Sequence, residues 1–442
     1  MSIRSDERTP AAQNAPPPAP TFGEALREWA RIGLLSFGGP TAQIALMHKV
    51  IVDERKWLTE SQFLNALSFC MLLPGPEAMQ LATYAGWRLH GVAGGLAAGL
   101  LFVLPGAVVV LALSAIYAFY GNVPFIEAIF FGIKAAVLVI VIEALLRIAK
   151  RALKGWHQWA IAAASFVGIF ALGLPFPLII LGAALIGFLM ATPASAGTAV
   201  PLPAVPIRQT AATVLVWLVV WTLPLALVAA TFGTGHVLSQ LALFFSKLAV
   251  VTFGGAYAVL AYMTETVVTT HGWLEPGQML DGLGLAETTP GPLILVTEFV
   301  GFLAAWRHGG GPPLAMGVMG AAVALWATFA PCFLWIFAGA PYIEWLNTQP
   351  RLKGALACIT AAVVGVILNL AVWFALHVFF GKVAQVQAGP FRLWLPDPAT
   401  LDWRIVLLAV ISGVLLLRLH WSIPAVLGMA SALALAIRFA GV

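Results

Sequence analysis

The sequence predicts an all-α polytopic membrane protein made of two inverted-topology repeats, with broken, re-entrant helices at FGG and PGP motifs. Three observations predict it: an apolar composition, an internal repeat, and unequal loop charge. Of the 442 residues, 61% are hydrophobic and only 9% are charged, whereas a soluble domain carries about a quarter charged residues. A mean hydropathy of +0.95 leaves apolar surface that lipid must cover. A soluble globular fold is excluded. The net charge of +5 is assigned to basic cytoplasmic loops, not to nucleic-acid binding.

Taken in order, residues 1–20 (MSIRSDERTPAAQNAPPPAP) lack an apolar core and read as a disordered cytoplasmic tail, not a cleavable signal. Residues 21–190 form the first repeat, 191–209 a Pro/Ala/Ser-rich linker, 210–235 an extra helix and 236–442 the second repeat. Apolar runs approaching or reaching the length of a membrane span occur at 92–120, 125–146, 157–174, 176–190, 210–233, 313–340, 354–377, 405–418 and 423–437. Such runs are helical, because lipid tolerates only helices or closed barrels. The stretches 23–50, 58–90, 238–268 and 276–306 are also apolar but are interrupted by Gly and Pro. About nine spans and four re-entrant elements are therefore expected.

The repeat rests on a fixed offset. SFGGP at 36–40 lies over TFGGA at 252–256, an offset of 255 − 39 = 216. The same offset pairs Trp57 with Trp273, Leu58 with Leu274, Gln62 with Gln278, and Pro74-Gly75-Pro76 with Pro290-Gly291-Pro292. The insert RHGGGPPLA then shifts it to about 226, placing AAV at 135–137 over AAV at 361–363.

Loop charge sets the orientation. HKVIVDERKW at 48–57 carries Lys49, Arg55 and Lys56, whereas MTETVVTTHGW at 263–273 carries no Lys or Arg. The positive-inside rule puts the first loop in the cytoplasm and the second outside. The unpaired span at 210–233 supplies the odd crossing that inverts the second repeat. The segment 378–404 fits least well, since it falls outside yet holds Lys382, Arg392 and Arg404.

Inverted repeats with discontinuous helices meeting near the midplane are the architecture of secondary transporters. One Pro-Gly-Pro would be an ordinary kink; two at equivalent positions, each paired with a Gly-Gly break, point to a functional core. Half-helices starting at such tips aim free N–H groups and a positive dipole end inward, which favours an anion. Pro suits a first helical position, and Thr289 is placed to cap a helix beginning at Pro290.

The candidate substrate-binding residues are Arg31, Gly38, Gly39, Pro40, Thr41, Gln43, Pro74, Gly75, Pro76, Gln80, Lys247, Gly254, Gly255, Pro290, Gly291 and Pro292. Arg31 and Lys247 are repeat partners. Each either binds the anion or snorkels to an interface. Lys134 is a weaker candidate, its counterpart being Thr360. Glu77 and Glu287 stand at the tips as candidate proton carriers, or simply satisfy helix dipoles. Gln43, Asn65, Gln80 and Thr83 either bind oxyanion oxygens or join helices.

Cys70, Cys332 and Cys358 lie singly without metal spacing and read as packing residues. No Walker-type phosphate loop occurs, and no cofactor is expected. An intramembrane enzyme would need a redox centre, for which there is no paired cysteine or histidine cluster. A scaffold would have no use for destabilising breaks at membrane depth.

The combination of FGGP, W-L-x-x-x-Q-F and PGP, repeated as TFGGAYAVL and E-x-x-P-G-P, resembles the chromate ion transporter (CHR) family, long two-domain form. The match covers nearly the whole chain beyond the tail. The resemblance implies export of chromate from the cytoplasm, driven by the membrane potential or the proton gradient, and hence chromate resistance. It places the chain in the bacterial inner membrane, with protons as an expected coupling ion and a homodimer as an expected assembly. Shorter relatives are single halves that work as pairs. The two halves differ at Ala256 against Pro40 and Leu293 against Glu77, so their sites are not chemically equivalent. Chromate and sulfate are both tetrahedral dianions, and uptake or exchange of sulfate or another oxyanion stays open.

Overall fold

In a computed structural model, residues 20–121, 123–191, 206–253 and 255–440 are described. The expected tail and nearly all of the linker lie outside the described residues. Apart from one hairpin the fold is helical: α1 (Phe22–Leu35), α2 (Gly39–His48), α3 (Glu60–Leu72), α4 (Glu77–Tyr120), α5 (Pro124–Ala152), α6 (Trp156–Phe170), α7 (Phe176–Met190), α8 (Ile207–Phe232) and α9 (Val237–Val251). They continue as α10 (Ala256–Glu265), α11 (Pro276–Thr288), α12 (Val296–His308), α13 (Pro313–Gly339), α14 (Ile343–Leu346), α15 (Pro350–Phe379), α16 (Trp403–Gly413) and α17 (Ile423–Phe439). Wider π-turns at Lys49–Glu54, Thr266–Thr270 and Val414–Arg418 prolong α2, α10 and α16.

The order of elements recurs. Adding 216 carries α1, α2, α3 onto α9, α10, α11, including the π-turns, and the capping box of Thr59 and Gln62 onto that of Glu275 and Gln278. Helix α4 is two arms, because His90 and Gly91 leave helical geometry (φ −137° and +61°). Its arms correspond to α12 and α13, α5 corresponds to α15, and the pair α6–α7 corresponds to α16–α17. Close glycine contacts fold each arm pair flat. A Cβ on Gly86 would meet the Gly94 carbonyl oxygen at 2.3 Å, and one on Gly320 would meet that of Gly301 at 2.2 Å. Both turns depend on the absence of a side chain.

Among the described residues, five helical stretches are long and apolar enough to cross a membrane: Glu77–Tyr120, Pro124–Ala152, Ile207–Phe232, Pro313–Leu346 and Pro350–Phe379. Three further apolar helices, Phe176–Met190, Val237–Val251 and Ile423–Phe439, are shorter. Helices α6 and α7 have 15 residues each, a length of roughly 22 Å against a hydrocarbon core of about 30 Å. An apolar run in sequence fixes the presence of a helix but not its reach.

Packing crosses between the halves. The α6–α7 pair lies on α15, and the α16–α17 pair lies on α5. The extra helix α8 packs on α13 and α9 and buries little beyond Trp221. The segment 378–404, which fits the charge rule least well, contains an antiparallel hairpin of β1 (Val383–Ala388) and β2 (Phe391–Pro396), with Val383 opposite Pro396. Its Arg392 N–H donates to the Ala171 carbonyl at 2.7 Å, tying it to the α6–α7 turn.

Candidate functional site

Both halves break at the same two places. After α1 the Ser36 hydroxyl turns back to the Ile32 carbonyl at 2.6 Å, and after α9 the Thr252 hydroxyl does so to Leu248. This local bonding competes with helix continuation. The chain then runs through Gly38 and Gly39 (φ +84° and +76°) into α2, and through Gly255 (φ +95°) into α10. Gly254 lies outside the described residues.

The Pro-Gly-Pro triplets form the second pair of breaks, with Gly75 at φ +116° and Gly291 at φ +94°. Side chains other than glycine's rarely adopt such backbone. Proline has no N–H, so the glycine supplies each triplet's one amide. Gly75 N–H donates to the Thr252 carbonyl at 3.0 Å, and Gly291 N–H donates to the Ser36 carbonyl at 2.8 Å. The bonds are reciprocal, since 252 − 36 and 291 − 75 both equal 216. Each triplet is thus latched to the first break of the opposite half.

Glutamines complete the latches. Gln43 Nε2 donates to the Gly291 carbonyl at 2.6 Å and the Ser36 carbonyl at 3.3 Å, and Gln80 Nε2 donates to the Pro74 carbonyl at 2.7 Å. Both side chains are buried. The structure therefore brings together Ser36, Gln43, Pro74, Gly75, Gln80, Thr252 and Gly291, with Pro76, Pro290 and Pro292 contiguous in the same tips.

Helices α2 and α4, helix α10 and the 3-10 turn Leu293–Leu295 that leads into α12 all start at these tips. None has a side-chain cap hydrogen bond. A helix start without a side-chain cap leaves first-turn amides without an intrahelical partner. The expectation for Thr289 is corrected: its hydroxyl bonds back to Ala286 at 3.3 Å, and the α-helix begins only at Val296. Two prolines flanking a left-handed glycine hold 290–292 extended, so Pro290 does not start a helix.

The carboxylates gather around the first break of the second half, at Gly255 and Tyr257. Glu77 Oε1 lies 3.7 Å from the position a Cβ would take on Gly255. Glu287, 2% exposed, accepts the Tyr257 hydroxyl at 2.7 Å through Oε1, while its Oε2 has no partner among the described residues. The cations are dispersed. Arg31 is half exposed and paired with Glu28 at 3.3 Å and Glu54 at 3.2 Å, away from the tips. Lys247 Nζ stands 6.0 Å from the centroid of the Tyr262 ring. Arg147 on α5 pairs with Glu143 and reaches the Thr41 hydroxyl at 3.4 Å, directly after Pro40. Its proximity to the break depends on long-range packing, and nothing in the local sequence signals it.

A cavity lined by Gly75, Pro76, Thr252, Ala256, Ile294 and Thr328 lies at the latch. It leaves about 10 Å³, room for one water centre. A tetrahedral oxyanion does not fit in it.

A family model described as chromate transporter matches residues 23–188 and 239–436. A probable chromate transport protein of Synechococcus elongatus is 30% identical over 406 residues, covering 90% of this chain and 96% of the relative. Chromate transport proteins of Pseudomonas aeruginosa and Cupriavidus metallidurans are 32% and 29% identical, covering 83% and 81% of this chain and 84% of each relative. No solved structure matches.

Proposed function

The chain belongs to the chromate transporter family, and from that premise we propose that it exports chromate from the cytoplasm as a secondary active carrier. It is a multi-pass membrane protein and a transporter, not an enzyme. In this reading it sits in the bacterial inner membrane with its N-terminus inside. The two halves are inverted, the four tips are re-entrant, and export driven by the proton motive force or the membrane potential confers chromate resistance.

The reciprocal hydrogen bonds from Gly75 to Thr252 and from Gly291 to Ser36 carry the proposal. They hold four uncapped helix starts against one another at a point where each half touches the other. Rocking of the halves would exchange one latch for the other, opening the junction first to one side and then to the opposite side. An arriving dianion would replace the interhalf bonds with bonds to helix N-termini and to Gln43, Gln80 and Thr41. Lys247 and Arg31 are the proposed guiding cations, and Arg147 joins them on geometry. Glu77 and Glu287 are the proposed proton carriers, since a carboxylate beside an anion must be neutral to tolerate it. A homodimer is the proposed assembly.

Uptake of radiolabelled chromate into energised, everted membrane vesicles tests this. Protein-dependent accumulation that collapses with a protonophore supports export. Movement of sulfate with no movement of chromate would keep the carrier and discard the substrate.

A further inference from the structure

Away from the tips, the described structure holds one further buried ionic cluster that joins the two halves. Asp281 on α11 is 3% exposed. Its Oδ2 accepts the Tyr117 hydroxyl from α4 at 2.8 Å and lies 3.5 Å from Lys134 Nζ of α5. Its Oδ1 is buried with no partner among the described residues. Tyr117 is fixed edge-on between Phe130 and Phe299, with ring centroids 5.0 and 5.2 Å away. The Lys134 side chain is 28% exposed.

We propose that Asp281, set between Lys134 and Tyr117, is a proton-binding site of the transport cycle. A buried carboxylate with one oxygen unbonded is costly when charged, and a proton placed there removes that charge. Binding transfers a proton from hydronium to the carboxylate, breaking an O–H bond in the donor, which leaves as water, and forming one on Asp281, and it releases Lys134 from its counter-ion. Helices α4 and α5 belong to one half and α11 to the other, so the cluster's charge state bears on how the halves sit together. The site is single: under the repeat offsets Asp281 corresponds to Asn65 and Lys134 to Thr360. The pair Asp281 and Lys134 is charged and its counterpart pair, Asn65 and Thr360, is neutral, each pair drawing one residue from either half.

The surrounding charges are few. Helix α11 has Glu275 at its N-cap, and α12 brings Arg307, bonded to Gln278 at 2.7 Å, with His308 and the buried Glu298. The one charged side chain of α17, Arg438, pairs with Glu127. Helix α15 carries Arg351, Lys353 and His377 near its ends, and the turn Leu293–Leu295 is apolar.

The inference rests on the reading of the chain as a proton-coupled carrier. Its test uses purified full-length protein in liposomes, with the potential clamped by potassium and valinomycin and internal pH followed by a trapped dye. Protons moved per chromate are measured for wild type, D281N and the double variant D281N/K134T, which copies the neutral pair Asn65 and Thr360 and preserves charge balance. The expected result is a tenfold or greater fall in protons per chromate in D281N, with chromate flux no longer answering a pH gradient. If D281N alone does not fold, the double variant gives the same reading. An unchanged ratio in a folded variant overturns the inference alone. Wild-type chromate flux without protons overturns both it and the proton-coupled reading, while the carrier itself stands.

Discussion

Replacing Gly75 by alanine tests the latch most directly. At φ +116° an alanine is strained by about 1–3 kcal/mol. Its Cβ would also meet Gln80 Nε2 at 2.9 Å and Cys332 Sγ at 3.0 Å. Relief would move Gln80 off the Pro74 carbonyl, a further loss of about 1 kcal/mol. The sum, roughly 2–4 kcal/mol, corresponds to a melting temperature lower by about 4–8 °C, at about 2 °C per kcal/mol for a large chain. Gly39 is the internal control. Its φ is +76° and a Cβ there meets nothing within 4 Å, so its alanine variant should lose only about 1–2 kcal/mol. Thermal unfolding of the purified proteins in detergent, followed by tryptophan fluorescence, reads both. A Gly75→Ala protein melting with wild type, or a Gly39→Ala protein losing as much, would refute the argument from backbone geometry and contact.

Further expectations concern charge and orientation. Lys247→Ala should weaken apparent chromate affinity several-fold and Arg31→Ala much less, because Arg31 is already neutralised by Glu28 and Glu54; equal losses in vesicle uptake would contradict that ranking. Cysteines placed singly at 49–56 and 264–272 should react with an impermeant thiol reagent from opposite faces, and same-side labelling would exclude inversion. At the C-terminal end of α2, His48 Nε2 lies 2.6 Å from Glu60 Oε2 and Nδ1 lies 3.4 Å from Asp53 Oδ2. The Glu60 hydrogen bond, above all, raises the histidine's pKa. Its stabilisation is full below the free imidazole value of about 6.5 and is lost as pH rises through the raised value. Glu60→Gln should therefore flatten the fall in melting temperature over that window, and an unchanged slope would dismiss the pair.

Much of this was legible in the chain because proline and glycine act locally. The breaks at 36–40, 73–76, 252–255 and 289–292 follow from missing N–H groups and permissive φ, and the offset of 216 shows that they recur. Which break meets which could not be read. The bond from Gly291 to Ser36 spans 255 residues, and no local preference encodes it. Arg147 beside Thr41 and Tyr117 beside Asp281 are hidden for the same reason. Thr289 misled because its type suits a helix cap, while the two prolines after it hold the backbone extended. The hairpin at 383–396 was missed because its residues alternate too weakly against the apolar helices on either side.

The exchange of helical pairs between halves has a consequence for biosynthesis. Helix α5 ends at Ala152, yet the helices that cover it begin at Trp403. The ribosome must add about 250 residues first, which takes roughly 13–50 s at 5–20 residues per second. During that interval the first half waits in the bilayer with one flank uncovered. A chain cut short after α15 would contain every residue of the first half and still leave it unfinished, so the C-terminal hairpin closes the fold of both halves.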